Sequence, residues 1–475
     1  MAAVRTADAE PGAGAVGVLA PTVRATTAGI VIAITLFAFE SLAVATALPT
    51  VARDLDGLAS YGWAFTAFLL ANVVGMVLGG GLSDRSGPRA PVLTGLAVFA
   101  LGLVVAGTAG SMGILIAGRA VQGVAAGTVT TALYVLVGRT YPAPDQPRII
   151  AAMSTAWVVP SLVGPVVAGA VVQHAGWRWV FLGMVPLVAV GLVLLVPALR
   201  GTGTRRSDRG PTSAPTSATG RLGGRLLTAL AVAVGIGALQ VAGQHLSLWS
   251  VPLAVAGLAV LVRALTRLLP PGAFRLPPGV GTAVVLRGLL TSAFFGVEAL
   301  VPLSLQQQQG LTPALAGVPL TGAALSWAAG SWVVGRARPE VRARSRLIRV
   351  GFGCVVAAEV GMAAAAQPGT PVLVAFAAWL VAGLGAGLGI SSQSVLLLRW
   401  TTDADRGRDS AAMQLTDAVG ASLGIGLGGV LVAVAVAGVL SRGTAFAAVD
   451  LTLAAVAVPG LVLSGRLADP PTAAL

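Results

Sequence analysis

The sequence predicts an all-α integral membrane protein, a bundle of about fourteen transmembrane helices. Composition, run length and charge distribution each point there. Of 475 residues only 10% are charged and 56% are hydrophobic, with a mean hydropathy of +0.88. A soluble chain carries roughly 25% charged residues, so polar surface is too scarce to cover several soluble domains. The apolar residues gather into runs, and a helix of about 20 such residues crosses ~30 Å of hydrocarbon. The 63 Gly and 28 Pro follow no collagen-like period, and both residue types are tolerated in membrane helices.

Spans are expected near 27–48, 61–82, 90–108, 111–137, 149–173, 179–198, 226–244, 246–262, 281–304, 311–335, 348–366, 371–397, 411–436 and 444–464. On that map 26 Arg and 10 acids fall on one side, which carries +16. The other side holds Arg53, Arg178 and Arg442 against Asp54 and Asp56, a balance of +1. Arg119 and the acids Glu40, Glu298, Glu359, Asp417 and Asp450 stay inside helices, a balance of −4. This asymmetry is the positive-inside bias, and it places both termini in the cytoplasm of a multi-pass plasma-membrane protein. It also removes the reason to expect nucleic acid as a partner despite the net charge of +13; the lipid bilayer is the expected surrounding.

Several chemistries are excluded. The chain has no lysine, so it holds neither a P-loop nor a Schiff-base lysine. Its one cysteine, Cys354, allows no internal disulfide. His174 and His245 lie far apart in sequence, so no metal site and no cofactor is expected. Gly420-Ala-Ser422-Leu-Gly424 matches the hydrolase nucleophile pattern by letters only, without the strand, sharp turn and histidine partner that chemistry requires. The chain is not expected to be an enzyme. Glycines four apart (Gly75/Gly79, Gly123/Gly127, Gly383/Gly387, Gly420/Gly424/Gly428) are read as surfaces where helices approach closely.

Four stretches carry function. After the second span comes Gly80-Gly-Leu82-Ser-Asp84-Arg85-Ser-Gly87-Pro-Arg89, a charged glycine turn in a charge-poor chain. The fourth span contains Arg119-Ala-Val-Gln122-Gly123, and an arginine so deep costs roughly 2.5–3.5 kcal/mol on insertion scales unless it meets a partner or a cavity. The fifth reads Pro160-Ser-Leu-Val-Gly164-Pro165-Val-Val-Ala168-Gly169, with two prolines that each remove a backbone hydrogen bond. The first span ends Glu40-Ser-Leu-Ala-Val-Ala-Thr-Ala47-Leu48-Pro49.

Together these stretches resemble the major facilitator superfamily, and in it the drug:proton antiporter branch with fourteen helices. Trp177-Arg178-Trp179-Val-Phe181 is similar to the start of the branch's sixth helix, with Met184 where asparagine is usual. The resemblance implies two six-helix bundles plus two extra helices. The domains would be a cytoplasmic tail 1–24, a bundle 25–198, a cytoplasmic linker 199–225, extra helices 226–262, a cytoplasmic loop 263–280, a bundle 281–466 and a tail 467–475. It implies a gating loop at Gly80, Asp84, Arg85, Gly87 and Arg89, with Pro88 departing from the usual basic residue. It implies an antiporter motif at Pro160, Gly164, Pro165 and Gly169, with Pro160 and Ala168 standing where glycine is commoner. Proton coupling would fall to Arg119, Glu40 and the mid-span Glu298 of the other half. Asn72, Gln122, Trp157, Gln393 and Asp417 would line a substrate cavity for amphiphilic cationic or neutral molecules, with protons as the coupling partner and a monomer as the working unit. Leu42 and Ala45 replace polar residues usual in the branch. Glu359 is expected to pair with a neighbouring helix and Asp450 to be a helix-start acid near the outer surface. The alternatives are export of a self-made metabolite, such as an antibiotic or siderophore, and nutrient uptake by proton symport.

Overall fold

A computed structural model describes residues 20, 23–142, 144–200, 216–244, 249–270, 272–337, 340–401 and 406–467. The expected tail at 1–19, the centre of the 199–225 linker, His245 and the tail at 468–475 lie outside the described residues.

The first half comprises α1 (Arg24–Asp54), α2 (Tyr61–Ser86), α3 (Arg89–Gly107), α4 (Met112–Thr140), α5 (Gln146–Thr155), α6 (Val158–His174), α7 (Arg178–Leu182) and α8 (Met184–Arg200). Then come α9 (Thr216–Gln244) and α10 (Ser250–Leu268). The second half comprises α11 (Val280–Glu298), α12 (Val301–Gln308), α13 (Pro313–Arg336), α14 (Val341–Ala365), α15 (Val372–Trp400), α16 (Arg406–Val436) and α17 (Arg442–Leu463). The pairs α5/α6, α7/α8 and α11/α12 each continue one another, so the described residues form fourteen long helical segments. Thirteen of these segments are long and apolar enough to cross a membrane. The remaining one, α13, is as long but diluted by Gly, Pro, Ser and Trp, and it packs between α6 and α15.

Proline chemistry explains two of the breaks. Pro160 has no N–H for the carbonyl of Ala156, so the helix parts between α5 and α6. The freed carbonyl accepts a hydrogen bond from Thr35 Oγ1 of α1 at 3.4 Å. Pro302 leaves the carbonyl of Glu298 without its helical donor in the same way, and the α11/α12 break follows directly.

Antiparallel crossing puts the start of α1 and the end of α17 at one end of the bundle, here the terminal end; the α1–α2 and α12–α13 connections lie at the far end. Within the first half α4 packs on α2 and α3, and α1 on α6 and α8. The second half repeats the plan, with α15 on α13 and α14, and α11 on α16. Glycine makes these approaches close: a Cβ on Gly123 of α4 would lie 2.2 Å from the carbonyl oxygen of Phe68 on α2. The helices α9 and α10 pair with each other, and α9 leans on both α2 and α16.

Candidate functional site

The buried centre of the first half is a charge cluster. Glu40 lies mid-way along α1 and Arg119 two turns into α4, at 1% and 2% exposure. Their side chains form an ion pair through Nη1 and Oε1. Arg119 also donates from Nη1 to Gln122 Oε1 at 2.5 Å and from Nε to the carbonyl of Ala64 on α2 at 3.1 Å. Its guanidinium stands 4.3 Å from the ring centre of Phe68. One arginine thus ties α1, α2 and α4 together. Glu40 Oε2 and Gln122 Nε2 remain without hydrogen-bond partners. Gln122, expected in a cavity, is fully buried as part of this cluster.

The second half holds an ion pair of different make. Asp417 of α16 accepts from Arg287 of α11 at both oxygens, 2.5 Å from Nε and 2.9 Å from Nη2. Arg287 Nη1 also donates to the carbonyl of Ile390 and to Ser394 Oγ on α15, at 2.8 and 3.2 Å. The planar two-pronged geometry suits guanidinium and carboxylate. The sequence map counted Arg287 with the terminal-side loops; it stands seven residues inside α11 and ties that helix to α15 and α16. Asp417 is correspondingly a partner in this pair as well as a polar group on α16.

Glu298 stands apart from both. It ends α11 at the break before α12, half-buried, with no hydrogen bond or ion pair among the described residues. One turn away is an aromatic cluster that sequence reading missed. Phe294 stacks on Trp379 of α15 with ring centres 5.4 Å apart, and meets Trp327 of α13 edge-on at 5.4 Å. Phe295 lies beside Phe294 and Trp327.

The remaining nominated residues make no hydrogen bond to one another among the described residues. Asn72 is half-buried on α2, its carbonyl oxygen facing Gly127. Trp157 sits at the α5/α6 break and is 47% exposed. Gln393 is fully buried on α15, both amide atoms unpartnered. Asp450 is not a helix-start acid: α17 begins at Arg442 with Ser441 as its cap, and Asp450 is buried against Glu359 of α14. Packing of α14 on α17 turns both acids inward, where Glu359 keeps two unpartnered oxygens.

The bundles touch at the far end. Arg53 Nη2 donates to Gln306 Oε1 at 3.0 Å, and Tyr61 Oη donates to the carbonyl of Ala299 at 2.8 Å. The proline–glycine stretch of α6 forms the other seam. A Cβ on Gly169 would lie 2.3 Å from Cα of Ala314 on α13, and one on Gly317 would lie 3.0 Å from Cβ of Pro165. Gly164 faces α1 at ordinary contact distance from Leu42 and Phe39.

At the terminal end the charged turn is exposed. Gly87, at φ +76°, closes α2, and its N–H donates to the carbonyl of Ser83 at 3.0 Å. Arg139 of α4 donates to the same carbonyl at 3.3 Å. Asp84 and Arg85 are exposed and form no ion pair among the described residues. Gly80 stands in open packing, and Arg89 opens α3.

Comparison with known proteins agrees with this architecture. A probable multidrug-efflux transporter of Mycobacterium tuberculosis is 30% identical over 417 residues, covering 84% of this chain and 85% of that one. The tetracenomycin C resistance and export protein of Streptomyces glaucescens is 32% identical over 322 residues, 66% of this chain and 58% of that one. Among solved structures, a POT family transporter in complex with 5-aminolevulinic acid superposes with a TM-score of 0.65 at 13% identity, covering 93% of this chain and 96% of that one. The human organic anion transporter MFSD10 gives 0.59 at 14% identity, covering 94% and 99%. The family model of the Major Facilitator Superfamily matches residues 30–378. This chain belongs to that superfamily, and it is a membrane transporter of small molecules, not an enzyme.

Proposed function

We propose that the protein is a proton-coupled antiporter of the plasma membrane that exports amphiphilic drugs or toxic small molecules by alternating access. The observation that carries this reading is the contrast between two mid-span acids. Glu40 is neutralised by Arg119, whereas Glu298 has no partner among the described residues and ends α11 one turn after Phe294, at whose aromatic cluster the half-buried rings of Phe295 and Trp327 lie. Aromatic faces attract cations and stack on flat apolar bodies, which suits cationic or neutral amphiphiles. Glu298 is then the proton carrier, and the Glu40–Arg119–Gln122 cluster holds α1, α2 and α4 in position.

The driving force is adequate. One proton moving down ~100 mV supplies about 2.3 kcal/mol, and a pH step of ~1 unit adds about 1.4 kcal/mol. Together they support a gradient of a few hundred-fold. With the termini cytoplasmic, the far-end contacts of Arg53 with Gln306 and of Tyr61 with Ala299 would be closure toward the outside. Rocking of the two bundles about the midplane would exchange that seam for one at the terminal end.

Proteoliposomes with an imposed pH gradient test the whole reading. Drug and proton should move in opposite directions; co-flow would establish symport, and no flux would end the proposal. Export of a self-made metabolite is the second reading, favoured by the similarity to the tetracenomycin C exporter.

Two further outcomes follow. In a Cys354→Ser background, cysteines at Ser207 and Gln307 should label from opposite sides of intact cells; labelling of both from outside would overturn the topology. Asp84→Asn removes the charge that would latch the terminal end once it closes. Transport should fall at least tenfold, about 1.4 kcal/mol of lost stabilisation of that closed state, with normal expression because Asp84 is exposed and unpaired here. Parental transport rates in that variant would remove the latch from the mechanism.

A further inference from the structure

A cavity of about 560 Å³ lies between the added helices and the second bundle, lined by α9, α10, α11 and α16. Small-molecule sites run roughly 300–1,000 Å³. Its walls are mainly aliphatic, with Leu239, Leu265, Val285, Leu289 and Leu427 among them, and no charged side chain among the described residues lines it. None of Glu40, Arg119, Glu298, Asn72, Gln393 or Asp417 borders it, so it is separate from the midplane groups.

Two polar side chains in its wall are unsatisfied. Gln240 of α9 is 3% exposed, and both its Nε2 and Oε1 lack hydrogen-bond partners. The amide rests in a niche of small residues: notional Cβ atoms on Gly62 and Gly426 would lie 3.2 Å from its Nε2 and 3.7 Å from its Oε1. Ser422, one turn from Gly426 on α16, is fully buried with an unpartnered hydroxyl. A buried amide left unpaired costs about as much as the lost hydrogen bonds, so it calls for a partner, an ordered water or a ligand.

We infer that this cavity is a second binding site, for a neutral amphiphile whose apolar body lies against the aliphatic walls and whose amide or hydroxyl group pairs with Gln240 and Ser422. The uncharged lining selects a neutral ligand, because a charge there would be buried without a counter-charge. The paired donor and acceptor of Gln240 select a group that both donates and accepts. A phospholipid acyl chain would fill the volume and leave the amide unmet, which makes it the weaker occupant. The inference does not depend on proton coupling.

Photolabelling of the full-length protein in nanodiscs tests it, with a diazirine-bearing long-chain fatty amide and the matching long-chain alkane as probes. The fatty amide should label peptides of α9, α11 or α16, and unlabelled fatty amide should compete. Gln240→Leu should cut amide labelling about tenfold, the equivalent of one to two lost hydrogen bonds, and leave alkane labelling unchanged. That variant should melt no lower than the parent, because an orphan amide is exchanged for an apolar group of similar size. Val285→Trp fills the cavity and should abolish labelling by both probes. Equal labelling by amide and alkane, unchanged amide labelling in Gln240→Leu, or labelling that survives Val285→Trp would each overturn the site.

Discussion

Arg119→Ala should be the most damaging single change in the first bundle, with loss of folded protein as well as of transport. Among the described residues the arginine is the one cation paired with Glu40, and it reaches the Ala64 carbonyl and Gln122 at once. Its removal strands a carboxylate at 1% exposure. Breaking a buried pair from one side costs about 3–5 kcal/mol, whereas replacing both partners by apolar groups of similar volume is often neutral. The double variant Glu40→Leu with Arg119→Met should therefore recover monodisperse, thermally stable protein that the single variant lacks. Size-exclusion profiles and melting temperatures of the two variants decide the point. A well-folded Arg119→Ala protein that transports normally would show that the pair neither organises α1, α2 and α4 nor takes part in coupling.

The Glu40–Arg119 contact is also the part of the site most legible in the sequence. In a chain this poor in charge, an acid and an arginine deep in separate spans have few other ways to be accommodated. The α5/α6 break had a similarly local signal in Pro160, which removes a backbone hydrogen bond, although Pro165, Pro319 and Pro459 lie inside helices that continue. The charged turn at Asp84 could be recognised without any knowledge of its surroundings. Arg287 could not be read correctly. Seven residues inside α11, it looks like one more basic residue flanking a span, and its partner Asp417 looks like a helix-start acid from a segment 130 positions later. Only the packing of α11 on α16 brings them together. The aromatic cluster has the same character: Phe294, Trp327 and Trp379 come from three helices, and no period within any one of them marks the convergence. Asp450 was misjudged because depth along a helix was inferred from distance to a loop, while its burial is decided by which face α17 turns to α14. Gln240 drew no notice because a lone glutamine in an apolar run is ordinary; its unpaired amide is visible only in three dimensions.

Glu298→Gln should separate proton coupling from substrate handling. Glutamine keeps the size and much of the hydrogen-bonding capacity of a protonated carboxyl, but it cannot release a proton. Because Glu298 has no ion pair to lose among the described residues, the substitution should leave folding and melting temperature close to the parent. Proton-driven accumulation should vanish, a loss of the few hundred-fold gradient that the combined electrical and pH forces support. Exchange of labelled for unlabelled drug at equal concentrations should persist, since it requires only binding and rocking of the bundles. The pH dependence of binding should flatten, because the group whose protonation competes with cationic substrate is gone. Neutral substrates should be less affected than cationic ones, as the half-buried rings of Phe295 and Trp327 remain to receive them. Glu40→Gln, measured beside it, should retain more coupling than Glu298→Gln, since in the parent that carboxylate is already held by Arg119. The reverse order, with accumulation lost in Glu40→Gln and kept in Glu298→Gln, would move the proton to the Arg119 cluster. Full coupling in both variants would take these two acids out of the transport cycle and leave Asp417, with its Arg287 partner and partial exposure, as the next acid to test.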